Sequence, residues 1–175
     1  MTDAGGVLMG RADLERAFTV LGDRLARRDV VADLFVVGGA AMALAYDATR
    51  VTRDVDAMFV PHGVVVEESR AVAEELGLPP WWLNEQASVY VSGKEDPGKR
   101  RVFDHPNLRI MVASPEHIFA MKALAARARD VDDLRSLATL AGVHTVDDAL
   151  RICTDFYPDE EVSPRAHRVL QEMFG

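Results

Sequence analysis

The sequence has one cysteine, Cys153, in 175 residues, few aromatics (7%) and fewer basic than acidic side chains. A lone cysteine closes no disulfide within the chain and builds no thiolate zinc site, which points to a reducing cytoplasm. With 20 Lys and Arg against 28 Asp and Glu the formal net charge is −8. That sign is wrong for a protein that coats nucleic acid through counterion release, so an RNA partner needs a local basic face. Long apolar runs are also lacking. The best one, Val30 to Tyr46, is broken by Asp33 and by Gly38-Gly39 and falls short of the ~20 apolar residues a bilayer requires. Met1-Thr-Asp-Ala-Gly-Gly6 has neither a basic start nor an apolar stretch, so no secretory signal is expected. Neither a repeat of fixed period nor a linker-like segment is visible.

What is there is 49% apolar and 27% charged, the balance of a soluble globular protein with one main core. Leu14, Phe18, Leu21 and Leu25 recur at helical spacing and predict an amphipathic helix from Arg11 to about Arg28. Leu34 to Val37 predicts a buried strand, Gly38-Gly39 a turn, and Ala40 to Tyr46 a helix. A second strand is expected over Val55 to Val60, ending at Pro61, and a helix through Val65, Val72 and Leu76 that closes at Gly77. Trp81-Trp82-Leu83-Asn84 reads as irregular and Gly93 to Arg101 as a charged turn. A third strand, Leu108 to Ala113, leads to Ser114-Pro115, a capping serine followed by proline at the first helical position. Four helices then follow, over Pro115 to Arg127, Val131 to Ala141, Thr145 to Phe156 and Pro164 to Phe174. The expected fold is therefore an α/β front with an all-helical back.

Chemistry concentrates between Val36 and Phe59. On a strand, side chains alternate between faces, so Asp54 and Asp56 point one way and Val55, Ala57 and Phe59 the other. Two adjacent carboxylates repel, and a hard divalent cation reverses that penalty; Mg²⁺ prefers carboxylates together with phosphate oxygens. Upstream, Gly38 and Gly39 permit close backbone approach at the start of a helix, where free N–H groups favour anions. Thr49, Thr52 and Arg53 lie between the two elements. A lone Asp-x-Asp reads more simply as a pair of surface acids, and a lone Gly-Gly as tight packing; their combination favours a triphosphate and its ion.

Lys122 follows Ile118 by four residues and precedes Ala125 by three, so it shares a side with apolar residues and wants a partner. Phosphate is one candidate; Asp130 and Asp133 are another. The plain alternative is a lysine reaching to solvent and Asp130 capping the next helix.

The stretch from Val36 to Phe59 resembles the signature of the nucleotidyltransferase superfamily related to DNA polymerase β, a Gly-Gly or Gly-Ser pair followed by Asp-x-Asp. Thr52-Arg-Asp-Val-Asp56 is similar to the Thr-x-Asp-x-Asp element of the AbiEii and MenT group of bacterial toxin nucleotidyltransferases. Trp82-Leu83-Asn84, Val102 to Leu108, Ala113 to Glu116, Met121-Lys122 and Arg129 to Leu134 look like further landmarks of that group. The resemblance implies an α/β nucleotidyltransferase core with a mixed sheet over residues 1–113. A helical C-terminal subdomain over 114–175 would close the active-site cleft. It implies an NTP substrate held at Gly38, Gly39, Thr52 and Arg53, and Mg²⁺ (or Mn²⁺) on Asp54 and Asp56. Lys122 would meet the triphosphate, and Asp133, with Asp130 beside it, would orient that lysine or accept a proton from the attacking hydroxyl. The acceptor implied is the 3′ end of tRNA, with a cognate antitoxin as a possible partner and Thr52 as a site of silencing phosphorylation. One departure stands out. Many relatives carry a third carboxylate on a later strand, whereas Leu108 to Ala113 offers only Arg109. This favours a single Mg²⁺, with Asp104 as an outside candidate for the missing acid. Rival readings are transfer to a small molecule or a protein, a catalytically degenerate nucleotide- or partner-binding protein, and a plain helical interaction module.

Other signals carry less. Gly93 to Lys99 fits part of a P-loop, but Arg100 replaces the hydroxyl residue that binds magnesium. Lys94, Lys99, Arg100 and Arg101 there suit RNA phosphates or plain solvent equally. The five histidines lack the i, i+4 spacing of a zinc pair, and Cys153 among Leu150, Ile152 and Phe156 reads as a core thiol. Trp81-Trp82 reads as the cover of a core edge, with base stacking as the alternative.

Overall fold

A computed structural model describes residues 6–175; Met1 to Gly5, within the stretch read above for a signal, lies outside the described residues. The periodicity of Leu14, Phe18, Leu21 and Leu25 yields α1 (Arg11–Arg27), with all four side chains buried. The apolar run after it forms β1 (Ala32–Val37), which passes directly into α2 (Gly38–Ala41) and one π-helical turn, Met42–Tyr46. Then come β2 (Val55–Val60), α3 (His62–Leu76), β3 (Leu83–Asn84), β4 (Arg100–His105) and β5 (Leu108–Val112). The helices α4 (Pro115–Ala125), α5 (Val131–Ala141), α6 (Val146–Phe156) and α7 (Pro164–Phe174) complete the chain. No helix among the described residues is long and apolar enough to cross a membrane.

The chain divides into two compact units. One runs through Val89 and resumes over Arg100–Val112; the other is Tyr90–Lys99 with Ala113–Gly175. The first unit is built on a mixed five-stranded sheet of order β3-β2-β1-β5-β4. β1 pairs antiparallel with β2 and parallel with β5, β2 pairs parallel with β3, and β4 and β5 form an antiparallel pair. Leu34, Val36, Val55, Ala57, Phe59, Leu108, Ile110 and Val112 are buried on one face, while Asp33, Met58, Val60 and Arg109 are exposed on the other. That one-sided alternation is what a sheet covered on a single face requires. Helices α1 and α3 supply the cover, with Phe18 tilted against both Trp82 and Phe103. Trp82 is fully buried and its indole N–H donates to the Ser69 carbonyl at 2.7 Å, as the core-edge reading expects; Trp81 is half exposed.

Two strands are absent from the sequence pattern for physical reasons. β3 is two residues long and held mainly by its pairing with β2, too short to carry a period. β4 is an edge strand rich in charge, and a register shift between Arg101 and Phe103 breaks its alternation. Helix α4 stops at Ala125, two residues before Arg127, because Ala126 turns left-handed (φ 49°) and its N–H bonds the Lys122 carbonyl.

In the second unit α4 packs against α5, α6 and α7. Ser114 caps α4 by accepting from the His117 N–H, and Pro115 takes the first helical position. Segment Tyr90–Lys99 is fastened by buried polar groups. The Ser92 N–H donates to His117 Nε2 at 3.1 Å, so the ring proton sits on Nδ1, which faces Asp96 at 3.1 Å. The same Asp96 oxygen accepts the Ser114 N–H at 2.9 Å, and His117 stacks on Phe156.

Candidate functional site

Strand β1 ends at Val37, which lies in register with Asp56 on β2. The next residue, Gly38, adopts φ +69°, a conformation that a side chain makes strained. A Cβ at Gly38 would stand 3.6 Å from Asp56 Oδ2, an ordinary contact, so the backbone conformation and not crowding calls for glycine here, and it places the turn from strand into helix beside that carboxylate. The neighbouring glycine serves closeness of approach: a Cβ on Gly39 would come within 3.2 Å of Thr52 Oγ1 and 3.8 Å of Arg50 Nη2.

Along β2 the alternation is Val55, Ala57 and Phe59 buried against Asp54 and Asp56 part-exposed. The two acids therefore share one face, and that face is the one α1 and α3 leave uncovered. Thr52 donates its hydroxyl to the Asp54 carbonyl at 3.0 Å and bridges Met9 through its backbone, fixing the entry into β2. Asp54, Asp56, Gly38, Gly39 and Thr52 are thus brought together. Arg53 is exposed and donates to the Gly6 carbonyl at 3.0 Å.

Two residues outside the expected set lie in this site. Asn84 on β3 is in register with Asp56, and its amide N–H₂ donates to Asp54 Oδ2 at 2.8 Å. Arg50 brings a guanidinium beside Gly39. Asn84 carries a sequence signal only as part of Trp82-Leu83-Asn84; Arg50 carries none beyond lying between the glycines and the acids.

The donor set fits a hard divalent cation. Two same-face carboxylates, accessible beside an open glycine turn, match Mg²⁺, which takes one or two protein carboxylates and completes its shell with water and phosphate. Among the described residues no group of three or more His, Cys, Asp or Glu gathers as a metal cage. Asp104 does not serve as the missing acid. It lies on β4, which β1 and β5 separate from β2, roughly 14 Å away at the usual strand spacing, and it is paired with Arg101 at 2.7 Å. β5 is likewise set apart from β2 by β1, and its Arg109 makes a bidentate pair with Asp33 at 2.6 and 2.8 Å.

In the second unit Lys122 meets both of its candidate acids. Its Nζ donates to Asp130 Oδ1 at 2.8 Å and lies 3.2 Å from Asp133 Oδ2, and all three side chains are largely buried. Lys122 therefore does not reach to solvent. Asp130 stands at the N-cap of α5 but makes no side-chain cap bond, because its carboxylate is turned to the lysine. Of the charged turn, Arg100 is occupied: it donates to the Ala45 carbonyl and lies over the Tyr46 ring, closing the π-helical turn.

No curated protein matches the chain. A solved structure described as an antigenic nucleotidyltransferase-like protein from Paracoccidioides brasiliensis aligns with 93% of this chain and 95% of its own, at 16% identity and a TM-score of 0.48. The family model described as "Nucleotidyltransferase of unknown function (DUF6036)" matches residues 13–157, which include the diglycine turn, the acid pair and the lysine cluster. The chain belongs to this family of nucleotidyltransferases.

Proposed function

We propose that the protein transfers an NMP from an NTP to an acceptor hydroxyl, using Asp54 and Asp56 to hold Mg²⁺ or Mn²⁺ and the turn at Gly38-Gly39 to receive the phosphates. The observation that carries this reading is the pair of carboxylates on the open sheet face beside a left-handed Gly38. The bound divalent ion supplies charge neutralisation at the phosphate oxygens. Asp54 and Asp56 would hold it, the turn at Gly38 and Gly39 would receive the triphosphate with Thr52 packed against it, and the Arg50 and Arg53 guanidinium groups would contribute donors along the connecting segment. The acceptor oxygen forms a bond to the α-phosphorus as the bond to the β-phosphate oxygen breaks; pyrophosphate leaves with that electron pair, and the hydroxyl proton passes to water. Positioning and electrostatics do most of this work. For Lys122, which Asp130 and Asp133 hold within the second unit, the triphosphate contact is what the family resemblance implies, and Lys122→Ala tests it by whether NMP transfer is lost.

The acceptor we propose is the 3′ end of tRNA, in a toxin of the AbiEii and MenT kind restrained by a cognate antitoxin. Support is the Thr52 to Asp56 element together with the later landmarks, and the hydroxyl of Thr52 lies beside the glycine turn where a phosphate would meet the nucleotide. Incubation with four α-labelled NTPs, Mg²⁺ and separate acceptors decides the class. Label on total tRNA is expected; label on protein or on an aminoglycoside instead would contradict the tRNA reading, and growth arrest that persists in Asp54→Ala would contradict the toxin reading.

A further inference from the structure

Only two strands flank β2, and the register fixes what each presents beside Asp56. On the β1 side it is Val37, whose side chain has no ligating atom. On the β3 side it is Asn84. Leu83 is buried with Val55, so Asn84 falls on the open face with the acids. From there its amide nitrogen donates diagonally to Asp54 Oδ2 at 2.8 Å and also lies 3.2 Å from the Trp81 carbonyl, while its Oδ1 accepts the Gln86 N–H at 3.1 Å. The three contacts leave one amide orientation, nitrogen toward Asp54. A two-residue strand that holds little else is thus used to bring one polar side chain to the acid row.

We propose that Asn84 is the positioning residue of the acid pair: a neutral amide that fixes the Asp54 carboxylate by hydrogen bonding and holds the row at two negative charges, so that the site takes one divalent ion. This rests on the reading of Asp54 and Asp56 as the ion-binding pair. An aspartate at the same place would point an oxygen at Asp54 where the amide now points a donor. Like charges at that distance repel, and a divalent cation relieves three carboxylates more than two. The amide therefore sets both the geometry of Asp54 and the strength with which the row binds metal when no nucleotide is present.

The test is a Mn²⁺ titration of the full-length protein without nucleotide, followed by electron paramagnetic resonance, with melting curves to verify folding. Asn84→Asp is expected to bind Mn²⁺ at least tenfold more tightly than wild type and to gain more thermal stability from it. Asn84→Ala, which removes the donor without adding charge, is expected to bind severalfold more weakly, and it keeps the proposal testable should the aspartate variant fold poorly. Asp56→Asn is expected to abolish binding. If Asp56→Asn weakens Mn²⁺ binding while neither Asn84 variant changes it, Asn84 has no part in the row and this inference is overturned alone. If Asp56→Asn changes nothing, the ion-binding reading of the acid pair falls, and the role of Asn84 with it.

Discussion

The Lys122 ammonium hydrogen-bonds the Asp130 carboxylate at 2.8 Å and faces Asp133 at 3.2 Å, with none of the three side chains more than 13% exposed. One buried positive charge is set against two negative ones. Removing the lysine takes its positive charge away from two largely buried carboxylates, a loss of about 3 kcal/mol or more. Lys122→Met is thus expected to lower the urea midpoint clearly, and Lys122→Met/Asp130→Leu to recover part of it. Equal midpoints for wild type and Lys122→Met would show that the cluster contributes nothing to the fold.

Gly22 sits in the middle of α1, where alanine would ordinarily stabilise a helix by about 1 kcal/mol. Here a Cβ would meet the His105 ring at 2.7 Å. That ring is pinned, facing Asp23 at 2.9 Å through Nε2 and accepting the Asn107 N–H at 3.0 Å through Nδ1. Gly22→Ala is accordingly expected to destabilise by about 1–3 kcal/mol through overpacking, and His105→Ala in the same chain to relieve most of it. A rise in melting temperature for Gly22→Ala would contradict the packing described.

Burial alone would push the Asp96 carboxyl up, but hydrogen bonds from the His117 and Ser114 side chains and from the Ser114 N–H outweigh it and hold the group below the ordinary carboxylate range. A depressed native pKa stabilises the fold above the unfolded value of about 3.9, and that contribution is lost as pH falls through the lower native value. Asp96→Asn is expected to be less stable than wild type at pH 7, with the gap narrowing below about pH 4. Denaturation midpoints measured from pH 7 to 2 check this; two parallel curves would refute it.

Cys153 is buried, and desolvation pushes its thiol up to about 11. Since the thiolate is the reactive form, Ellman's reagent at pH 8 is expected to label the native protein slowly and the unfolded protein at once. Immediate labelling of the folded chain would show that the thiol is not part of the core.

The elements legible in the sequence are those whose burial follows a period. The side chains of α1, β2 and α5 alternate or recur with their helix or strand, and their bounds are set by Pro61, Gly142 and charged flanks. The acid pair is legible for the same reason, since strand alternation alone puts Asp54 and Asp56 on one face. β3 and β4 are not, because pairing and edge position hold them in place of a pattern. That omission hides Asn84, whose importance comes from register with Asp56, a relation between distant segments that no local spacing encodes. The Asp96–His117 contact is hidden likewise, as 21 residues separate partners that read individually as a loop acid and a first-turn histidine.

The proposed transfer needs the acid pair as the place where a metal-bound nucleotide is held, and equilibrium binding of non-hydrolysable α,β-methylene NTPs tests this whatever the acceptor. Calorimetric titration with each of the four bases, with and without Mg²⁺, should show binding of at least one to the wild-type chain only when the ion is present, weakened at least tenfold in Asp54→Asn and in Asp56→Asn with the fold intact. Failure of all four to bind, or binding indifferent to both substitutions, would contradict it.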